Sequence, residues 1–226
     1  MSAEIAMPQT TPTVAMIRTL GLIAAICGTI IVAAYQGTYD AVQENKRIAV
    51  ERAVFKVIPA ATSIVEYTVA ADGTLAKVGP GGTATGIKFF AGYDKDGKLA
   101  GIAAEGAAKG YADTVRILFA WDPEQAAVTG FGVVSSRETP GIGDRITVDQ
   151  AFLANFPLEA RLADDGMALA REIRAVKHGT KTQPWEVDAI AGATITSRAV
   201  ARAIDVTAQG LLPRLARQLD TLKEKQ

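Results

Sequence analysis

The sequence predicts an α+β protein, with a single N-terminal transmembrane helix followed by a domain in which helices pack on a twisted antiparallel sheet. Three observations carry this. Residues 14–35 form an apolar run interrupted by one charge, Arg18. Two strand–turn–strand segments, 86–105 and 114–136, follow in the middle of the chain. The chain then closes with a short apolar strand, a Gly-containing turn and an amphipathic helical pattern. The implied organisation is a short tail (1–13), the transmembrane helix (14–35), an amphipathic helix and linker (36–84), and a folded domain (85–226).

Composition supports a real core and narrows the chemistry. Apolar residues make up 49% of the chain and charged residues 21%, a balance that suits folding rather than disorder. Lys+Arg and Asp+Glu stand at 24 each, so no long-range field draws the protein to nucleic acid. With one histidine, His178, and one cysteine, Cys27, a His/Cys metal site has too few ligands, and no metal is expected. A Ser-His-Asp triad could use only His178, and no nucleophile-elbow pattern accompanies it.

The run 14–35 is long enough, at about 1.5 Å per residue, to cross a hydrocarbon core of about 30 Å. Gly21, Gly28 and Thr29 fit a membrane helix better than a soluble one. A cleaved signal peptide is the alternative, because Val32-Ala33-Ala34 resembles a cleavage site. Lys46, Arg47 and Arg52 outnumber Arg18 across the helix, which by count alone keeps the trailing domain inside. Long trailing domains translocate largely regardless of that count.

Beyond the membrane, residues 39–58 place Val42, Ile48, Val54, Phe55 and Ile58 near one helical face, and Pro59 ends the pattern. The Gly-rich stretch 78–86 lacks the Lys-Ser/Thr of a phosphate-cradling loop and reads as a connection. The two hairpins share a theme, with Tyr93-Asp94 matching Trp121-Asp122, and together supply four strands. Asp94 and Asp96 fall short of a calcium loop, which needs further acidic positions. In 135–146, two glycines and a proline make a tight loop whose backbone can approach a ligand. A helix containing Phe152, Leu153 and Phe156 follows. A strand at 187–190 then leads to Gly192-Ala193-Thr194, and a last helix over 197–219 buries Val200, Ile204, Leu211 and Leu215.

The segment DAIAGATITSRAV, 188–200, holds the chemistry. A strand passes through a glycine turn into a helix start, where free N–H groups and the helix dipole favour a phosphate. The dipole alone is worth only about 0.3–1 kcal/mol, too little to retain an exchanging ligand. Thr194, Thr196 and Ser197 offer hydroxyls there, either as helix caps or as acceptors of a covalent phosphoester.

Asp188-x-x-x-Gly192-Ala193-Thr194 resembles the flavinylation motif of the FMN-binding domain family, with Ala191 where the family usually has Ser or Thr. Glu138-Thr139-Pro140-Gly141-Ile142-Gly143-Asp144 is similar to that family's loop approaching the flavin, and Gly110-Tyr111 before an apolar strand also fits in order. The resemblance implies that a flavin transferase joins FMN through a phosphoester to Thr194. It implies that Asp188 belongs to the recognition signature, and that Gly192, Ala193, Thr139, Gly141 and Gly143 lie around the cofactor. Lys177, Lys181 and Arg198 are candidates for balancing phosphate charge. No catalytic residue is implied, because the flavin supplies the redox chemistry.

Within the family the chain resembles the G component of Rnf-type ion-translocating complexes linking ferredoxin and NAD. The C component of sodium-translocating NADH:quinone reductases is the alternative, and a flavin-free anchored scaffold is a third reading. The first implies partner subunits in a bacterial inner membrane, with the C-terminal domain on the periplasmic side.

Overall fold

A computed structural model describes residues 13–78 and 86–223. The short tail, apart from Thr13, and nearly all of the Gly-rich connection lie outside the described residues. The chain divides into two compact units, Met1–Ile48 and Ala49–Gln226.

The first unit consists of most of helix α1, Thr13–Val57. Among the described residues, this one helix is long and apolar enough to cross a membrane. Leu20, Ile23, Ile30 and Val32 are exposed along it. The Thr19 and Thr29 hydroxyls donate to the carbonyls of Ala15 and Ala25 at 2.9 and 2.8 Å, which satisfies them without water. Tyr35 and Tyr39 pair, ring centroids 5.8 Å apart, where the apolar run gives way to charge. The two helices expected at 14–35 and 39–58 are one. Gly37 between them costs only about 1 kcal/mol of helix propensity, and no proline breaks the ladder there. Thr38 donates back to Ala34 O at 2.7 Å within the helical frame. Pro59 then stops the helix.

The second unit is built on an antiparallel sheet. Its strands are β1 (Ser63–Val69), β2 (Leu75–Lys77), β3 (Ile87–Tyr93), β4 (Leu99–Lys109), β5 (Thr114–Asp122), β6 (Ala127–Ser135) and β7 (Leu158–Glu159), in spatial order β2-β1-β3-β4-β5-β6-β7. A separate parallel pair joins β8 (Arg174–Val176) to β9 (Glu186–Asp188). The helices are α2 (Gln150–Leu153), α3 (Thr194–Ala216) and α4 (Leu219–Leu222). The two expected hairpins are β3–β4 and β5–β6. Each turn is held by its aspartate: Asp94 Oδ1 accepts from the N–H of Asp96 and Lys98, both at 2.9 Å, and Asp122 Oδ1 from Glu124 at 2.8 Å and Gln125 at 3.2 Å. Residues 63–77, expected as linker, instead supply β1 and β2, so the sheet begins well before residue 85. Val65, Tyr67 and Val69 alternate into the core, the period-two pattern of a half-buried strand.

Both faces of the sheet are covered. Along β5, Ile117, Phe119 and Trp121 enter the larger cluster under α3, whereas Leu118 and Ala120 enter a smaller one with Val54, Val57 and Ile58. A strand buried on two faces reads as a continuous apolar run, as ILFAW does. In α3, the expected stripe of Val200, Ile204, Leu211 and Leu215 is fully buried. The helix starts at Thr194, three residues before the expected 197. The helix expected around 152–156 is a single turn, with Asp149 as its cap accepting from Phe152 N at 3.1 Å.

Candidate functional site

The strand–turn–helix at 186–197 orders its hydroxyls unequally. Asp188 ends β9, and Gly192 turns the chain at φ +85°, a conformation that favours glycine. Ala193 is the N-cap and provides no side-chain cap, so neither threonine acts as one. Ser197 is fully buried; its hydroxyl donates to Ala193 O at 3.0 Å and accepts from Ile190 N at 3.1 Å. Thr196 is buried too, and its hydroxyl donates to Glu138 Oε2 at 2.5 Å. Thr194, the first residue of α3, is half-buried, and among the described residues its hydroxyl has no hydrogen-bond partner. Of the three hydroxyls at this helix start, Thr194 alone is open. Beside it, the first N–H groups of α3 have no carbonyl one turn earlier to bond.

Glu138 ties this helix start to two other segments. Its carboxylate accepts from Thr196 and from the backbone N–H groups of Tyr111 (3.3 Å), Ala112 (3.1 Å) and Asp113 (3.4 Å). The residue is 8% exposed. Two glycines make room for it. A Cβ on Gly110 would meet Glu138 Oε1 at 2.5 Å, and one on Gly143 would meet Glu138 Cβ at 2.5 Å. Burial pushes the Glu138 carboxyl up, but the Thr196 hydroxyl and the three backbone donors outweigh it and hold it below the usual 4.5. A folded-state value lowered in this way contributes stability above the unfolded value, and that stability is lost as pH falls through the folded one. The urea midpoint of the detergent-solubilised chain is therefore expected to drop as the pH falls below the usual carboxylate value of 4.5, and to drop less steeply in Glu138→Gln. Equal slopes in the two proteins would contradict the ionised, bonded carboxylate.

The expected loop residues fall into two groups. Thr139 is exposed, and its carbonyl accepts from Ile142 N at 3.1 Å and Gly143 N at 3.0 Å, closing the turn. Gly141 is exposed at φ +76° with open space around it. Gly143 is buried against Glu138. Exposed apolar side chains stand on all three segments that Glu138 gathers, namely Tyr111, Ile142 and Ile195.

Asp188 and one candidate cation, Lys181, belong to a neighbouring network centred on Asn155, which is 4% exposed. Asn155 Oδ1 accepts from Asp188 N at 2.8 Å, and Asn155 Nδ2 donates to Asp188 O at 3.2 Å and Phe152 O at 2.9 Å. The Asp188 carboxylate accepts from Gly179 N at 2.7 Å. Lys181 donates to Asn155 O and Oδ1, both at 3.2 Å, and burial lowers its ammonium pKa against the pull of Asp188 and Glu186. These residues line an open cleft of about 520 Å³ with Thr182, Gln183 and Pro184. Lys177 and Arg198 are exposed. Arg145, which the sequence did not single out, donates to Ala191 O at 3.3 Å and pairs with Asp149 at 2.7 Å, beside the turn that presents Thr194.

Glu138, Asn155, Arg145 and the bonded Thr196 are thus the site residues that sequence reasoning missed or left without a role. A trace of one was available, since Glu138 opens the Gly-containing loop motif, but nothing local shows that its carboxylate is buried.

Three comparisons fit this geometry. Residues 110–209 match the model of the FMN-binding domain. The match starts at Gly110, takes in Glu138 and the 139–143 loop, and runs through most of α3. Among curated proteins, the chain resembles the G component of the ion-translocating oxidoreductase complex of Methanosarcina acetivorans, 30% identical over 118 residues, covering 52% of this chain and 55% of that protein. It is 30% identical over 115 residues to the G component of the Na(+)-translocating ferredoxin:NAD(+) oxidoreductase complex of Acetobacterium woodii, covering half of each. It is 27% identical over 190 residues to the corresponding component of the ion-translocating oxidoreductase complex of Shewanella piezotolerans, covering 82% of both. The first two matches span about half the length of those relatives. Among solved structures, NqrC of Shewanella oneidensis shares the fold, with TM-score 0.59 at 21% identity, covering 80% of this chain and 99% of that one.

Proposed function

We propose that this chain is the membrane-anchored, electron-transferring member of a larger complex, with FMN held as a phosphoester on Thr194. The observation that carries the reading is the free Thr194 hydroxyl at the start of α3, in a segment where Thr196 and Ser197 are both engaged. The surroundings suit the group. Unbonded N–H groups face a phosphate, Gly192 leaves open space, and Tyr111, Ile142 and Ile195 offer apolar surface to a flat ring. Arg145, which bonds Ala191 O in the turn before Thr194 and pairs with Asp149, is the cation of this reading at the turn; Lys181 is held on Asn155. Thr139 and Gly141 contribute exposed backbone beside the ring, and Gly143 acts through Glu138. Asp188 orders the turn and serves in recognition by a flavin transferase.

FMN supplies reversible one- and two-electron chemistry when bound, and the chain attaches, orients and tunes it. In this reading α1 holds the protein in a bacterial inner membrane with the sheet domain on the periplasmic side, beside the other subunits of an Rnf-type complex linked to ferredoxin and NAD. Likeness to the G components of ion-translocating oxidoreductase complexes supports this assembly over a sodium-translocating NADH:quinone reductase. The test is the intact mass of full-length protein made alongside a flavin transferase, followed by peptide mapping. One FMN-sized increment on the peptide containing Thr194 is expected. An unmodified peptide would remove the electron-carrier reading.

A further inference from the structure

We propose that Glu138 is a positioning residue for the flavin on Thr194, and that its fixed negative charge holds the flavin's reduction potential down. The inference rests on the reading of Thr194 as the attachment site.

Glu138 is a buried carboxylate without a cation. Among the described residues no Lys, Arg or His pairs with it, and Arg145 is engaged by Asp149 and Ala191 O. The four groups outside its own loop that bond its carboxylate all donate to it, which is the arrangement of an ionised acid. A buried, unpaired charge is costly unless donors satisfy it, and packing alone is served better by an apolar side chain. Gly110 and Gly143 both leave space for this one group. The charge lies within one hydrogen bond of Thr196, on the same first turn as Thr194. An electron added to a ring held beside this turn therefore meets an existing negative charge. Across about 10 Å at an effective dielectric constant of about 20, that repulsion shifts the oxidised-to-reduced ratio at a fixed potential by about tenfold.

The same carboxylate fixes where the flavin stands. It joins the 110–113 turn, the 138–143 loop and the start of α3 through hydrogen bonds rather than contact area. Charge and position are separable by substitution. Glu138→Gln keeps the shape and removes the charge. Glu138→Asp keeps the charge and shortens the reach, and Thr196→Val removes one donor while leaving the carboxylate.

The experiment is a dye-coupled redox titration of full-length, FMN-loaded protein in detergent at neutral pH. Glu138→Gln is expected to titrate at a higher potential, with a reduced-to-oxidised ratio about tenfold higher at the wild-type midpoint, while Glu138→Asp and Thr196→Val stay close to wild type. A wild-type midpoint in loaded Glu138→Gln overturns the proposal. So does an equal shift in all three variants, which assigns Glu138 to packing alone. Should Glu138→Gln fail to load, Thr196→Val decides: a wild-type midpoint upholds the proposal and an upward shift overturns it. Absence of flavin from the wild-type protein is a different result, and defeats the attachment reading itself.

Discussion

Thr194→Ala is expected to abolish the fluorescent flavin band in a denaturing gel while the protein still folds and inserts. Thr194 is the first residue of α3, half-buried, and no hydrogen bond of its hydroxyl is lost on truncation. Alanine has higher helix propensity than threonine, so the change in stability should stay within about 0.5 kcal/mol. All of the effect therefore falls on attachment. Thr194→Ser keeps a hydroxyl at the same place and is expected to retain flavin. Thr196→Ala makes the contrast. It leaves Glu138 without its shortest donor and should cost about 1.5–3 kcal/mol, the range for a hydrogen bond to a charged group, yet keep the flavin. The reverse pattern, with a band lost in Thr196→Ala and kept in Thr194→Ala, would move the attachment point two residues along the helix and break the link between an open hydroxyl and modification.

The proposed acceptor Thr194 can be picked out from local sequence and the buried carboxylate of Glu138 cannot, because the interactions involved differ in range. Thr194 sits in a local pattern of Gly, Ala and Thr, and the strand, turn and helix that present it are contiguous in sequence. The stripe Val200, Ile204, Leu211 and Leu215 is equally local, being a helical period. The two hairpins announced themselves through Asp94 and Asp122, whose side chains bond the backbone two to four residues on. Glu138 is different. In the run Ser-Ser-Arg-Glu a charged residue reads as a solvated loop. Its burial depends on Gly110, 28 positions earlier, and on Thr196, 58 positions later. Asn155 likewise acts across 33 positions on Asp188. The strand β1 was legible and passed over, because SIVEYTV carries the alternation of a strand. The early start of α3 was harder, since Thr194, Ile195 and Thr196 include only β-branched residues, which favour strands as much as helices.

The seating of α3 on the sheet depends on one close approach, at Gly106 in β4, and substituting it should have the largest effect on stability. An added Cβ there would lie 2.5 Å from the Ala203 carbonyl oxygen, 3.0 Å from its carbon and 3.0 Å from Thr207 Oγ1. The obstacle is the backbone of α3 itself, and a helix backbone cannot rotate aside as a side chain can. Relief requires moving α3 off the sheet, away from a cluster that includes Ile204, Leu211 and Phe119. Overpacking of this kind costs about 1–3 kcal/mol, and a rigid obstacle places Gly106→Ala at or beyond the upper end, near 3 kcal/mol. Gly130 on β6 provides the control. Its added Cβ meets nothing within 4 Å and its φ needs no glycine, so Gly130→Ala should be neutral or stabilising by about 0.5 kcal/mol through reduced freedom of the unfolded chain. Urea titration followed by Trp121 and Trp185 fluorescence measures both. If Gly106→Ala unfolds at the wild-type midpoint, α3 is not seated on β4 at this distance, and the rigid platform from which Thr194 and Glu138 act would have to come from elsewhere in the fold.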